Sequence, residues 1–117
     1  MDKIRIEDLR LRCIIGLNPE EREKQQDVVI QATMHADLRK AGQSDEVEHT
    51  VNYKTIKNSI VKHVEASSYQ LIERLAETVA ELCLTNERVH HVDLRVDKPG
   101  ALRFARTVSV EITRGRE

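Results

Sequence analysis

The sequence lacks any excess of positive charge and has few aromatic residues. Among its 117 residues, 19 Lys and Arg are balanced by 20 Asp and Glu, which gives a formal net charge of −1. Aromatic residues make up 3% of the chain, and no basic stripe is interleaved with them. Nucleic-acid-binding proteins need such a field and such stacking positions. We therefore expect no nucleic-acid partner.

Long hydrophobic runs are also missing. No apolar run approaches the roughly 20 residues that a helix needs to cross a bilayer. The opening MDKIRIEDLR alternates with charges and has no hydrophobic region of a secretory signal. The only cysteines, Cys13 and Cys83, have apolar neighbours and no CxxC spacing. The sequence thus predicts a cytoplasmic protein with buried, reduced thiols and no membrane partner.

The common catalytic signatures are absent as well. There is no Gly-rich phosphate loop, no nucleophile elbow and no metal-ligand spacing. His90 and His91 are adjacent near the start of a strand, so we expect their side chains to diverge, which does not suit chelation. Apolar surroundings raise the pKa of a thiol and make it a poor nucleophile. We expect neither a metal site nor a cysteine nucleophile.

What the sequence does contain is alternation with a period of two in four segments. Residues 9–15 place apolar side chains on one face, and Ile4 and Ile6 are out of phase with them, which predicts a bulge near residues 7–8. The other predicted strands are residues 27–38, the segment with Val92, Leu94 and Val96, and residues 104–113.

Helical periodicity occupies the middle of the chain. Apolar stripes predict two helices, one with Tyr53, Ile56, Ile60, Val61 and Val64, the other with Leu71, Leu75, Val79 and Leu82. Serines at 67 and 68 are the predicted N-caps of the second helix. Earlier, Asn18 is a predicted N-cap followed by Pro19, with Glu21 as the capping-box carboxylate.

The order of elements is strand, strand, helix, helix, strand, strand (ββααββ). It predicts an α+β fold in one domain, residues 1–117: an antiparallel four-stranded sheet with two helices on one face. The two open edges of such a sheet carry unpaired N–H and C=O groups. Edge-to-edge association would satisfy them, so we expect a homo-oligomer.

Four polar residues lie at the ends of these elements. They are Lys98 at the end of the third strand, Tyr53 at the start of the first helix, Glu21 in the predicted cap and Glu73 early in the second helix. Each has an ordinary structural explanation: a turn lysine, a packing tyrosine, a capping carboxylate and a charge that favours the helix dipole. Spacing alone does not make them a site.

The segments around these residues nevertheless resemble one family as a set. IGLNPEERE, VNYKTI, YQLIERLAE and RVDKPGA are similar to the motifs of the dihydroneopterin aldolase family, from Ile4 to Arg114 and in the same order. The resemblance implies the tunnelling fold, in which sheets join edge to edge into a tetrameric barrel that commonly stacks into an octamer. It also implies active sites between subunits and a pterin substrate.

Site residues follow from the resemblance by position. Lys98, Tyr53 and Glu21 match the catalytic residues, and Ile72 and Glu73 match a pterin-binding Leu-Glu pair whose first member contributes mainly its backbone. The implied reaction is retro-aldol cleavage of 7,8-dihydroneopterin in folate biosynthesis. The dihydropterin ring accepts the electrons, so neither cofactor, metal nor Schiff base is required. Desolvation that lowers the pKa of Lys98 would suit it to proton transfer.

Two alternatives remain open. Dihydroneopterin triphosphate 2'-epimerase has the same fold and similar site residues, and DLRLRCIIG and ALRFARTVSV resemble that branch. A triphosphate would want cations at the mouth of the site, for which the candidates are Arg22, Lys24, Lys54 and Arg103. The other alternative is a non-catalytic subunit of the same fold that binds a pterin or purine.

Overall fold

The computed structural model describes residues 1–116 and contains the predicted four-stranded antiparallel sheet. Its strands are adjacent in chain order, β1-β2-β3-β4. They are β1 (Asp2–Cys13), β2 (Gln26–Ala36), β3 (His91–Pro99) and β4 (Thr107–Gly115). The predicted start of β4 at Phe104 is wrong, because Phe104 has φ 71° and an extended ladder cannot continue through that left-handed conformation. Residues 100–106 instead form the connection.

The predicted bulge in β1 is confirmed. Pairing with β2 shifts register between Ile6 and Leu9, and Asp8 there has φ 55°. The Asp8 N–H donates to Gln31 Oε1 at 3.3 Å, and Gln31 Nε2 donates back to Asp8 Oδ1 at 2.7 Å. The inserted residue explains the change of phase, because it brings Leu9 and Leu11 into the inward-facing alternation.

The helices are α1 (Arg39–Ser44), α2 (Tyr53–Glu65) and α3 (Ile72–Leu84), with short 3-10 turns at Pro19–Arg22 and Val47–His49. The two long helices, α2 and α3, contact the strands and cover one face of the sheet, as predicted. The short α1 was not predicted. The Asn52 side chain caps α2 by accepting from the Thr55 N–H at 3.3 Å. The predicted serine caps of α3 are wrong: its N-cap is Leu71, and Ser67 Oγ donates to Val64 O at 2.6 Å, at the end of α2. The linker stays non-helical up to Leu71.

The hydrophobic core lies between the helices and the inward face of the sheet. Strand residues such as Ile30, Met34 and Leu94 are fully buried there, as are Ile60 and Leu75 from the helices. Two residues assigned to the apolar stripes are not part of it, since Tyr53 is 58% exposed and Leu71 is 47% exposed. Tyr53 is the first residue of α2 and Leu71 is the N-cap of α3, so both lie at the ends of helices.

Both cysteines are buried and free, as predicted. Burial raises the pKa of the Cys13 thiol, and it raises that of Cys83 to about 12. Thiolates are therefore scarce at neutral pH, which fits the expectation that neither cysteine is a nucleophile.

The outward face of the sheet is polar. His35 and Asp93 are hydrogen-bonded at 2.7 Å, and the His35 and His91 rings stack with centroids 3.8 Å apart. The expected divergence of His90 and His91 is wrong, because their Nδ1 atoms lie 3.1 Å apart: His90 precedes β3, so the strict alternation of a strand does not apply to it. No group of three or more His, Cys, Asp or Glu suited to a metal occurs within residues 1–116.

Two further expectations concern the surroundings of the chain. β1 and β4 form the two edges of the sheet, as the predicted edge-to-edge association requires, and that association stays a prediction. None of the helices formed by residues 1–116 has the length and hydrophobicity to span a bilayer.

Candidate active site

A cleft of about 430 Å³ opens where the 3-10 turn, the start of α3 and the β3–β4 connection meet. Three ionisable side chains line it: Glu21, Glu73 and Lys98. Its walls are otherwise largely apolar and include Leu17, Leu71, Ile72, Leu102, Val108 and Val110. Four of the five residues predicted for the site are thus brought together within one chain.

The chain also has a larger cavity, of about 630 Å³, between α2 and α3. None of the five predicted residues lines it, and its His63 and Tyr69 hydrogen-bond each other at 2.9 Å. The cleft is the better candidate because it combines an amine, two carboxylates and apolar walls.

Lys98 reaches the cleft from the end of β3, where it pairs with Val108 of β4. Its Nζ donates to Glu21 Oε2, so the two side chains form an ion pair. The pair is largely shielded from water, with the Lys98 side chain 12% exposed and that of Glu21 23% exposed. The ion pair thus holds the Lys98 and Glu21 side chains against each other in the cleft.

Glu21 is held in place by its own 3-10 turn. Asn18 donates its backbone N–H to Glu21 Oε1 at 3.2 Å, which is the carboxylate half of the predicted capping box. The hydrogen bond from Lys98, and next the one from the Asn18 N–H, lower the pKa of the Glu21 carboxyl below its ordinary value of 4.5. Glu21 is therefore ionised at neutral pH.

Gly16 makes room for that carboxylate. It has φ 131°, a conformation that L side chains rarely adopt, and an added Cβ would lie under 3.0 Å from all three atoms of the Glu21 carboxylate group. Only glycine lets the backbone approach so closely. The prediction from sequence did not include Gly16, and the IGLNPEERE motif that contains it was the available signal.

Glu73 stands in the first turn of α3, on the opposite side of the cleft, and is exposed. Within residues 1–116 no hydrogen bond or ion pair engages its carboxylate, so it is available to donors of a ligand. Ile72, just before it, is 9% exposed and packs into the core. The buried side chain of Ile72 therefore anchors the first turn of α3, from which Glu73 projects.

Tyr53 is the one predicted site residue that does not line the cleft. It begins α2 and is 58% exposed. The cleft of a single chain therefore contains the amine and both carboxylates but not the tyrosine.

The four cations considered for a triphosphate are placed differently from one another. Arg22 is not free for this purpose, because its guanidinium donates to three backbone carbonyls, those of Gly16, Ser68 and Tyr69. Lys24 and Lys54 are exposed and do not line the cleft. Arg103 follows the cleft residue Leu102 and lies over the Phe104 ring, 5.4 Å from its centroid.

Replacing Gly16 by alanine tests the close approach to Glu21. We expect Gly16→Ala to lower the free energy of unfolding by about 1–3 kcal/mol, because it combines a disfavoured φ with a collision against the carboxylate. The measurement is urea unfolding. Gly42→Ala is the matched control: Gly42 lies in α1 with nothing within 4 Å of the added Cβ, so it should be neutral or stabilising by about 0.5–1 kcal/mol. Equal effects of the two substitutions would contradict the account.

The lowered pKa of Glu21 predicts a pH dependence of stability. A carboxyl whose pKa is lowered by folding contributes stability that is complete above its unfolded value, 4.5, and is lost as the pH falls through the lower folded value. Wild type should therefore exceed Glu21→Gln in unfolding free energy at neutral pH, and the difference should shrink below pH 4.5. A difference that stays constant on acidification would show that the ion pair does not stabilise the fold.

Several known proteins are similar to this chain in sequence and fold along nearly its whole length. The sequence profile of the dihydroneopterin aldolase (FolB) family matches residues 4–113. Dihydroneopterin triphosphate 2'-epimerase of Pseudomonas aeruginosa is 40% identical over 112 residues, which are 96% of this chain and 91% of that protein. Dihydroneopterin aldolase of Escherichia coli is 39% identical over 115 residues, 98% of this chain and 94% of that protein.

The structural comparison agrees with the sequence. The crystal structure of Escherichia coli dihydroneopterin aldolase in complex with neopterin superposes with a TM-score of 0.94 at 39% identity, covering 98% of this chain and 100% of that chain. Similarity at this level extends through all four strands and both long helices. The chain belongs to the dihydroneopterin aldolase family.

Proposed function

We propose that this protein is a dihydroneopterin aldolase that cleaves 7,8-dihydroneopterin into 6-hydroxymethyl-7,8-dihydropterin and glycolaldehyde in folate biosynthesis. The observation that carries the proposal is the shared cleft, in which the Lys98–Glu21 ion pair faces the free carboxylate of Glu73. We call Lys98 and Glu21 the proton-transfer wall, and Ile72 and Glu73 the ring-binding wall. Both cysteines are free thiols, which suits the reducing cytoplasm that we propose as its location.

The ring-binding wall selects the substrate. A pterin presents its 2-amino group and its N3–H side by side, and one carboxylate can accept both in a bidentate, charge-assisted arrangement. Glu73 has the free carboxylate for this role. The apolar side chains of Leu17, Leu71 and Val110 offer surfaces for the flat ring.

The proton-transfer wall serves the carbon–carbon cleavage. As the C1'–C2' bond breaks, the 2'-hydroxyl loses its proton and becomes the aldehyde of glycolaldehyde. The electron pair of the broken bond moves to C1' and is delocalised into the adjacent C6=N5 bond of the ring. A proton then returns to C1', so the wall both accepts and delivers one proton. We assign this transfer to Lys98, with Glu21 orienting the diol or exchanging the proton with the amine.

Tyr53 enters this scheme through a neighbouring subunit. It is exposed and does not line its own chain's cleft, while β1 and β4 leave both sheet edges open for pairing. We propose a homo-oligomer, a tetramer or an octamer of two rings, in which Tyr53 of one chain completes the cleft of the next. There its hydroxyl holds or relays the proton that returns to C1'.

A second candidate is the 2'-epimerisation of dihydroneopterin triphosphate. The 40% identity to the Pseudomonas aeruginosa epimerase favours it, and Arg103 lies directly after a cleft residue as a potential phosphate ligand. Its chemistry uses the same bond cleavage: epimerisation results when the two fragments recombine on the other face before glycolaldehyde leaves.

Product analysis is the test of the proposed function. Wild-type protein incubated with dihydroneopterin should release 6-hydroxymethyl-dihydropterin and glycolaldehyde, separable by chromatography. Lys98→Ala should lower turnover by about 10²–10⁴-fold, the usual contribution of general acid–base catalysis, while pterin affinity is retained. Inverted triphosphate as the sole product would establish the epimerase instead, and turnover by Lys98→Ala at the wild-type rate would remove Lys98 from the reaction.

Glu73→Ala provides the complementary variant in that assay. It should weaken pterin binding by more than about tenfold, since a hydrogen bond to a charged group contributes about 1.5–3 kcal/mol. Fluorescence titration with neopterin measures this. Unchanged affinity would remove Glu73 from the site.

Mixing two inactive variants tests whether the site is shared. Lys98→Ala and Tyr53→Phe should each be nearly inactive alone. Refolded together, they should recover up to about a quarter of the wild-type activity, because random assembly pairs an intact Lys98 with an intact neighbouring Tyr53 at that fraction of sites. A mixture that stays inactive, although mixed oligomers form, would contradict a shared site.

A further inference from the structure

We infer that Arg22 is a positioning residue that holds the proton-transfer wall against the ring-binding wall, so that its loss lowers turnover more than pterin affinity. The inference concerns the proposed aldolase reaction and rests on that function. It differs from the role considered for Arg22 in the sequence analysis, that of a cation at the mouth of the site for a triphosphate.

The guanidinium of Arg22 joins two segments that are distant in sequence. Its Nη1 donates to Gly16 O at 3.1 Å and to Tyr69 O at 3.0 Å, and its Nη2 donates to Ser68 O at 2.6 Å. The Gly16 N–H adds a fourth bond across the same joint, to Tyr69 O at 3.3 Å. The β1-to-turn loop and the α2–α3 linker are thereby tied at one point.

Each tied segment leads directly into one wall of the cleft. Arg22 follows Glu21 in the 3-10 turn, and Gly16 packs against the Glu21 carboxylate. On the other side, Ser68 and Tyr69 lie just before Leu71, the N-cap of α3, whose first turn carries Ile72 and Glu73. The position of the linker therefore sets where the ring-binding wall stands relative to Glu21.

Two features suggest that this joint positions the walls rather than merely adding to stability. First, within residues 1–116 Arg22 forms no salt bridge, and its guanidinium instead donates hydrogen bonds to backbone carbonyls of the two segments. Second, α3 begins without a side-chain cap, so its start is not fixed by a serine of the linker. The planar fork of arginine can reach several carbonyls at once, which a lysine ammonium cannot reproduce.

Displacement of one wall should lower the rate of bond cleavage more than it lowers the affinity for the pterin. The ring is held by Glu73 and the apolar walls, which remain when Arg22 is lost. The bond to be broken must still meet Lys98 and Glu21 at reacting distance, and a misplacement of about 1 Å can cost on the order of 10²-fold in rate.

The test is Arg22→Met, which keeps an apolar stem of similar length but donates no hydrogen bond. We expect kcat for dihydroneopterin to fall by about tenfold or more, with neopterin affinity within about threefold of wild type. Arg22→Lys should give an intermediate kcat. If Arg22→Met does not fold, Arg22→Lys decides alone: reduced kcat at retained affinity supports the inference, and wild-type kcat overturns it.

Arg116→Met is the matched control. Arg116 also donates to three backbone carbonyls outside the cleft, those of Leu84 at the end of α3 and of Asn86 and Val89 in the connection to β3. It should lower the melting temperature much as Arg22→Met does and leave kcat unchanged. If both variants lose kcat equally, or if Arg22→Met loses kcat and affinity in the same proportion, the role of Arg22 is only structural.

Amide hydrogen exchange separates failure of this inference from failure of the proposed function. Arg22→Met should increase exchange in residues 16–23 and 67–72 and leave the strands of the sheet unchanged. Unaltered exchange in both segments overturns the inference, whatever the reaction. If the wild-type protein is inactive on both pterin substrates, the proposed function is wrong. The exchange experiment then still shows whether Arg22 holds the two segments together.

Discussion

The candidate site depends on one ion pair, that between Lys98 and Glu21. It joins the end of β3 to a 3-10 turn 77 positions earlier in the chain, and it does so with little exposure to water. Because an unpartnered charge is costly at such a place, each member requires the other to be positioned correctly. Gly16 leaves room for the Glu21 carboxylate of this pair, and Glu73 lines the same cleft.

The pair also bears on how the chain would perform its chemistry. A single proton must leave the 2'-hydroxyl and return to C1', and a shielded amine next to a carboxylate can carry it without water as an intermediary. The sequence led us to expect an amine activated by desolvation. The structure adds an anionic partner, Glu21, whose carboxylate accepts a hydrogen bond from the amine, and we therefore propose that the two side chains act together.

Much of the fold could be predicted from the sequence, because its periodicities are strong. The phase change at Ile6 located the bulge in β1, and the stripes through Ile56 and Leu75 located both long helices. Element ends were less accurate. The serine caps of α3 and the start of β4 at Phe104 were wrong, since a local residue preference does not reveal how far a connection runs before the next element.

The site was only partly accessible to the same reasoning. Lys98, Glu21, Glu73 and Ile72 were assigned to the site from the family resemblance. Spacing alone had left the three charged residues among them with structural explanations. Arg22 was considered only as a cation at the mouth of the site, because two of its three carbonyl acceptors lie 46 and 47 residues away along the chain and could not be foreseen. Tyr53 shows the opposite problem: it does not line the cleft of its own chain, and the role that we propose for it in a neighbouring chain cannot be read from the fold of one chain.

The most direct test of the account is a crystal structure of the protein with neopterin bound. The account predicts the Glu73 carboxylate on the 2-amino group and N3–H of the ring, the side chain of the pterin directed at the Lys98–Glu21 pair, and a neighbouring subunit's tyrosine closing the cleft. A ring bound outside this cleft, or one whose side chain points away from Lys98, would contradict it.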